Sequence, residues 1–148
     1  MLGQHQLGTS TIVSRGSLTS PTTDTLKAAL YLATATVNAA TTAYSASNEV
    51  SGTNYSAGGV TVTNATAPTS TNSSATAGIA FFTPSASITY TNVTLSTAFD
   101  SVLLYNSTQS NKAIAVYTFG SQTVTAGTFS LTMPSNTITT ALLRLSTT

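Results

Sequence analysis

Side chains able to move protons, attack carbon or hold a metal are scarce in this sequence. Its 148 residues include three carboxylates, Asp24, Glu49 and Asp100, one histidine, His5, and no cysteine. A structural zinc site draws on about four Cys or His ligands, so His5 makes none, and no cofactor or metal is expected. Glycoside hydrolysis needs two carboxyl groups facing across a cleft. Asp24, Glu49 and Asp100 instead stand in neighbourhoods that read as turns or strand ends. Serines are abundant, but a serine nucleophile needs a base, and few candidates exist. Gly58-Gly59 lacks the Lys-Ser/Thr that completes a phosphate-binding loop. It reads as a tight turn using positive φ. The sequence therefore reads as non-enzymatic.

Binding chemistry is similarly restricted. The four cations, Arg15, Lys27, Lys112 and Arg144, are scattered. They form no basic stripe able to neutralise a phosphate backbone, so no nucleic-acid partner is expected. Asn54, Asn64, Asn72, Asn92 and Asn106 each begin an Asn-x-Ser/Thr triplet, but this composition produces about three such triplets by chance. Tyrosine is the more informative residue, because its ring buries area while its hydroxyl keeps a polar partner. Of the six tyrosines, Tyr44 and Tyr55 flank the Asn48–Gly52 segment and are the best candidates for contact with another molecule.

Charged residues are only 5% of the chain, against about 25% in an ordinary soluble domain. Hydroxyls replace them, from 33 Thr and 21 Ser. A net charge of +1 leaves little repulsion between copies, which suits a fixed assembly better than a concentrated monomer. No apolar stretch reaches the ~20 residues of a membrane helix, and Met1–Ser20 has no run like that of a signal peptide. The expectation is a soluble protein made in the cytoplasm of its host cell, with no membrane partner.

The elements that must position these residues read as strands. Residues 1–25 form an extended arm whose aliphatics, Leu7, Ile12, Val13 and Leu18, are spaced to press into a neighbour's groove. From residue 26 the pattern has period two. Strands are expected at Leu26–Ala33, Val60–Thr63, Gly78–Thr83, Ile88–Leu95, Ser101–Tyr105, Lys112–Phe119, Gln122–Thr125, Phe129–Met133 and Ile138–Leu145. Turns are expected at Gly58-Gly59, Gly120-Ser121 and Ala126-Gly127, and a polar loop at Ala65–Thr76. Eight or nine short strands without a helix predict an all-β fold, an antiparallel two-sheet β-sandwich of jelly-roll-like form over residues 26–148. Leu104, Ile114, Val116, Phe129, Leu131 and Leu143 are expected in its core.

Two stretches carry a resemblance. One runs from Leu30-Tyr31 through Thr42-Ala43-Tyr44 and Glu49-Val50-Ser51-Gly52 to Tyr55 and Ala57-Gly58-Gly59-Val60. The other joins Leu103-Leu104-Tyr105-Asn106-Ser107-Thr108, Asn111–Val116 and Phe119-Gly120, followed by Gly127-Thr128-Phe129 and Pro134. In this order they resemble small all-β virion proteins of tailed bacteriophages, including capsid decoration, or cement, proteins. The chain departs from that pattern around Phe81–Ser87, where acidic residues are commoner in the look-alikes. The resemblance implies a place on the capsid exterior, bridging capsid-subunit junctions. Its implied partners are the major capsid protein and sister copies, as a homotrimer. A receptor- or glycan-binding fibre or tail module of the virion is the alternative.

Overall fold

In the computed structural model the described residues are 24–63, 69–73 and 76–146. They contain seven strands and no helix: β1 (Leu26–Leu32), β2 (Val60–Val62), β3 (Thr69–Ser73), β4 (Thr76–Phe82), β5 (Ile88–Asn106), β6 (Lys112–Leu131) and β7 (Leu143–Ser146). The strands form two antiparallel, unclosed sheets, ordered β2-β1-β5-β6 and β3-β4-β7.

The chain divides into two compact units. The first takes residues 25–62 and 88–131, and so holds the four-stranded sheet. β1 and the second half of β5 are its centre. Ala28, Ala29, Leu30, Leu103 and Leu104 are buried, in register Ala28↔Leu104 and Ala29↔Leu103. Over Ala28–Leu32 and Val102–Tyr105 both strands are apolar on both faces, as strands covered on both sides must be. Tyr31 and Tyr105 join Ala29 and Leu103 on one face, where Ala35, Val37 and Tyr44 cover them.

β5 and β6 make a ribbon of 19 and 20 residues that turns back on itself. Phe119 and Phe129 are ten residues apart, a span of about 33 Å in a straight strand, yet their ring centroids lie 5.3 Å apart. The Tyr90 hydroxyl likewise donates to the Ala28 carbonyl at 2.8 Å, although Ala28 is paired with Leu104, far along the same strand. Register shifts at Leu95/Phe99 and Phe99/Ser101 mark the corner. Phe99 sits inside it, edge-on to Phe119 and Phe129.

The second unit takes the described residues of 63–87 and 132–148. In it β4 lies between β3 and β7, and Phe81, Phe82 and Ala141 are buried. The Thr83 hydroxyl accepts from the Leu142 amide at 2.9 Å. The Thr137 hydroxyl accepts from the amides of Thr139 and Thr140 at 3.3 and 3.2 Å, a local turn that competes with extended pairing.

Several expectations need correction. Gly120-Ser121 and Ala126-Gly127 are not turns. Both pairs lie within β6, where Ala126 adopts φ +46° and its amide donates to the Thr94 hydroxyl, an irregularity of the bulge type. Four expected short strands and part of a fifth thus merge into two long ones. The expected polar loop at Ala65–Thr76 includes β3. The expected strand from Ile138 begins only at Leu143, after the Thr137 turn. Of the six expected core residues Leu104 is buried, whereas Ile114, Val116, Phe129, Leu131 and Leu143 are half-buried. For the four of these in β6 the reason is position: β6 is the outermost strand of its sheet.

Candidate functional site

The densest polar arrangement in the described residues surrounds Glu49. The segment from Asn48 to Gly59 leaves the sheet and returns along the outer side of β1. The Leu32 amide donates to the Asn48 carbonyl, and the Val50 amide to the Leu30 carbonyl, each at 3.0 Å. This bridge holds the Glu49 side chain beside the sheet. Its Oε2 accepts from the Tyr44 hydroxyl at 2.6 Å. Its Oε1 accepts from the Tyr55 hydroxyl at 2.7 Å and from the Gly58 amide at 2.8 Å. Such charge-assisted bonds are the short, strong kind.

Tyr55 works in both directions. While donating to Glu49, its oxygen accepts from the Leu30 amide at 3.0 Å. The phenol thus supplies β1 with the acceptor that β2 is too short to reach, since β2 pairs only with Leu26–Ala28. Tyr105 donates to the Gly58 carbonyl at 2.8 Å, and Tyr31 donates to the Ser45 carbonyl. Rings stack as well. Tyr44 lies on Tyr105 with centroids 4.7 Å apart, and Tyr55 on Tyr90 at 5.8 Å.

Two glycines fix how closely this segment lies. A Cβ on Gly59, at φ +71°, would fall 1.7 Å from the Ala28 carbonyl oxygen, and one on Gly52 would fall 2.0 Å from that of Thr94. No other residue fits either place.

All six tyrosines have ionisation pushed above the ordinary phenol value. Burial is the main cause throughout, and it alone lifts Tyr117 to about 12. For Tyr44 and Tyr55 the bond to the Glu49 carboxylate and its negative charge add to it. Tyr31, Tyr44, Tyr55, Tyr90 and Tyr105 are thus held as neutral donors, poorly suited to act as bases.

The structure brings Tyr44 and Tyr55 together through Glu49, with their hydroxyls aimed inward and both side chains half-buried. Leu7, Ile12, Val13 and Leu18 lie outside the described residues, as do His5 and Arg15. Among the described residues no group of three His, Cys, Asp or Glu could hold a metal ion. Two of the triplet asparagines have structural work for their side chains. Asn54 donates through Nδ2 to the Asn92 carbonyl. Asn106 is fully buried, and its Oδ1 accepts from the amides of Thr108 and Gln109. The sequence does not reveal Tyr90 and Tyr105 as parts of the Glu49 cluster, because they arrive from β5, tens of residues away. A lone carboxylate between two tyrosines was the available signal.

Compared with known proteins, the chain matches no family model, no curated sequence and no solved structure.

Proposed function

We propose that this chain is a structural component of a virus-like particle, decorating the capsid of a tailed bacteriophage and bridging its subunit junctions without catalysis. The observation that carries this reading is the use of Glu49. The carboxylate best placed among polar neighbours has both oxygens engaged by three donors of its own chain, so it braces a surface segment. A braced segment is a rigid one, and rigid surfaces lose little entropy when they dock. The exposed residues around it, Ser45–Asn48 and Ser51–Asn54, are nearly all small and polar. Contacts made by hydroxyls and main chain are insensitive to salt, and a charged fraction of 5% leaves few other kinds. The jelly-roll-like sandwich belongs to the same proposal. So does an arm whose Leu7, Ile12, Val13 and Leu18 order against a neighbouring subunit.

The glycan-binding alternative needs aromatic faces open to a sugar. Tyr44 and Tyr55 each have one face on another tyrosine and a hydroxyl turned inward, which favours the structural reading. Particles released from cells that carry the gene in its native setting, banded by density and probed with an antibody to this chain, provide the test. Co-banding with capsids in stoichiometric amount is expected. Recovery only in the soluble fraction, or only on detached tails, would overturn the proposal.

A further inference from the structure

One-electron oxidants find few outlets in this chain. It has no cysteine and no tryptophan, but six tyrosines. Its two methionines react chiefly by taking up an oxygen atom, giving the sulfoxide. A phenol gives up an electron readily only where its proton can leave in the same step, because the phenol radical cation is a far stronger acid than the phenol. The hydroxyl must therefore already be bonded to a base, within about 2.6–3.2 Å. Tyr31, Tyr90 and Tyr105 donate to main-chain carbonyls, which are feeble bases. No carboxylate acts on the ionisation of Tyr117. Tyr44 and Tyr55 donate to the Glu49 carboxylate, at 2.6 and 2.7 Å.

The two are not equivalent. Oε1 of Glu49 accepts from both Tyr55 and the Gly58 amide, and each donor lowers its basicity. Oε2 accepts from Tyr44 alone among the described residues, so it is the stronger base. The Tyr55 oxygen also accepts from the Leu30 amide, a bond that holds electron density on that oxygen and opposes its oxidation. The Tyr44 ring lies against Tyr105 with centroids 4.7 Å and planes 14° apart, a π surface over which an unpaired electron is stabilised. The Tyr55–Tyr90 stack is wider, at 5.8 Å. Burial penalises a Tyr44 phenolate, but a phenol that loses electron and proton together becomes a neutral radical. The same step neutralises Glu49 and so removes a charge from a half-buried place.

We propose that Tyr44 is a redox-active residue, giving one electron to a metal-complex oxidant while its hydroxyl proton passes to Oε2 of Glu49. The O–H bond of Tyr44 breaks and an O–H bond forms on the Glu49 carboxyl. The oxidant is reduced by one electron, and a neutral phenoxyl radical remains on Tyr44. The electron leaves by tunnelling, so the oxidant need not touch the ring. Tyr44 is thus where an electron vacancy in this chain comes to rest. The inference rests on the geometry around Glu49 and is independent of the capsid assignment.

Flash oxidation of the full chain by photogenerated ruthenium(III) tris-bipyridine tests it, with the tyrosyl radical followed by absorbance and electron paramagnetic resonance. A proton released to water makes the rate climb with pH, whereas one passed to Glu49 does not. The rate for the unaltered chain should therefore be flat between about pH 6 and 8, where neither ordinary carboxylates nor phenols titrate, and slower in heavy water. Tyr44→Phe should lower the radical yield severalfold, and Tyr55→Phe should leave most of it. Glu49→Gln should slow the oxidation tenfold or more and introduce a climb with pH. Circular dichroism checks that each variant is folded, and the pH profile and isotope effect of the unaltered chain decide the matter if one is not. A rate for the unaltered chain that climbs with pH, a yield indifferent to Tyr44→Phe, or a folded Glu49→Gln variant as fast as the unaltered chain would each overturn the inference.

Discussion

Glu49 shows how one side chain can hold a whole segment. Removing it leaves the Tyr44 and Tyr55 hydroxyls and the Gly58 amide without their acceptor. Glu49→Ala should therefore cost about 3 kcal/mol or more in chemical denaturation, since a hydrogen bond to a charged group contributes about 1.5–3 kcal/mol and three are lost, with water reaching this half-buried site to offset part of the sum. Glu49→Gln keeps an acceptor and should cost less. It should also lower the ionisation pH of Tyr44 and Tyr55, because part of their elevation comes from the carboxylate. Raised phenol values in the folded state mean that above pH ~10 the unfolded chain releases protons that the folded one retains, so stability falls as pH rises from there. Absorbance of tyrosinate against pH should show little ionisation until far-ultraviolet circular dichroism reports unfolding, the two changes coinciding. Gly59→Ala, with its Cβ driven into the Ala28 carbonyl, should cost about 3 kcal/mol or more, in the range of severe backbone conflicts.

The elements divide into those the sequence makes legible and those it conceals. β1, β2 and β4 are visible because β-rich runs end at recognisable breakers: Gly58-Gly59 before Val60, Pro84 after Phe82. The turn at Gly58-Gly59 has the expected positive φ at both residues. β5 and β6 are concealed because Gly120-Ser121 and Ala126-Gly127 look like turns in one dimension. In three dimensions they are irregularities within one strand, stabilised by partners such as the Thr94 hydroxyl that no local pattern reveals. Burial followed the same division. Period two marks which residues share a face, but only topology decides whether a strand is central, so Leu103 and Leu104 of β5 are buried while Ile114, Val116 and Leu131 of β6 are not. Stability should reflect this. Leu103→Ala should cost about 2–5 kcal/mol, and Leu131→Ala less than half as much in the same denaturation experiment. The Glu49 cluster was half legible: Tyr44, Glu49 and Tyr55 lie close in sequence, but Tyr90 and Tyr105 are delivered by strand pairing and by the turning back of the ribbon.

At the scale of the molecule, the chain has replaced charge with hydroxyls and consumed its strongest acceptor internally. On the proposed reading, what is left for partners is surface of low charge, with the braced Asn48–Gly59 segment as its most defined feature among the described residues. Association through such surfaces should vary little between about 0.05 and about 1 M salt, because charge pairs screened over that range contribute little to it. Salt titration of particle binding by the purified chain measures this directly, and a steep loss would point to ionic contacts instead. The central claim is that the protein acts by position on a particle. Electron cryomicroscopy of intact particles carrying the chain tests it most directly. The account predicts density for the four-stranded sheet, with its turned-back β5–β6 ribbon, repeated across junctions between capsid subunits. Density confined to fibre tips, or capsids whose junctions are bare while the chain is present, would contradict it.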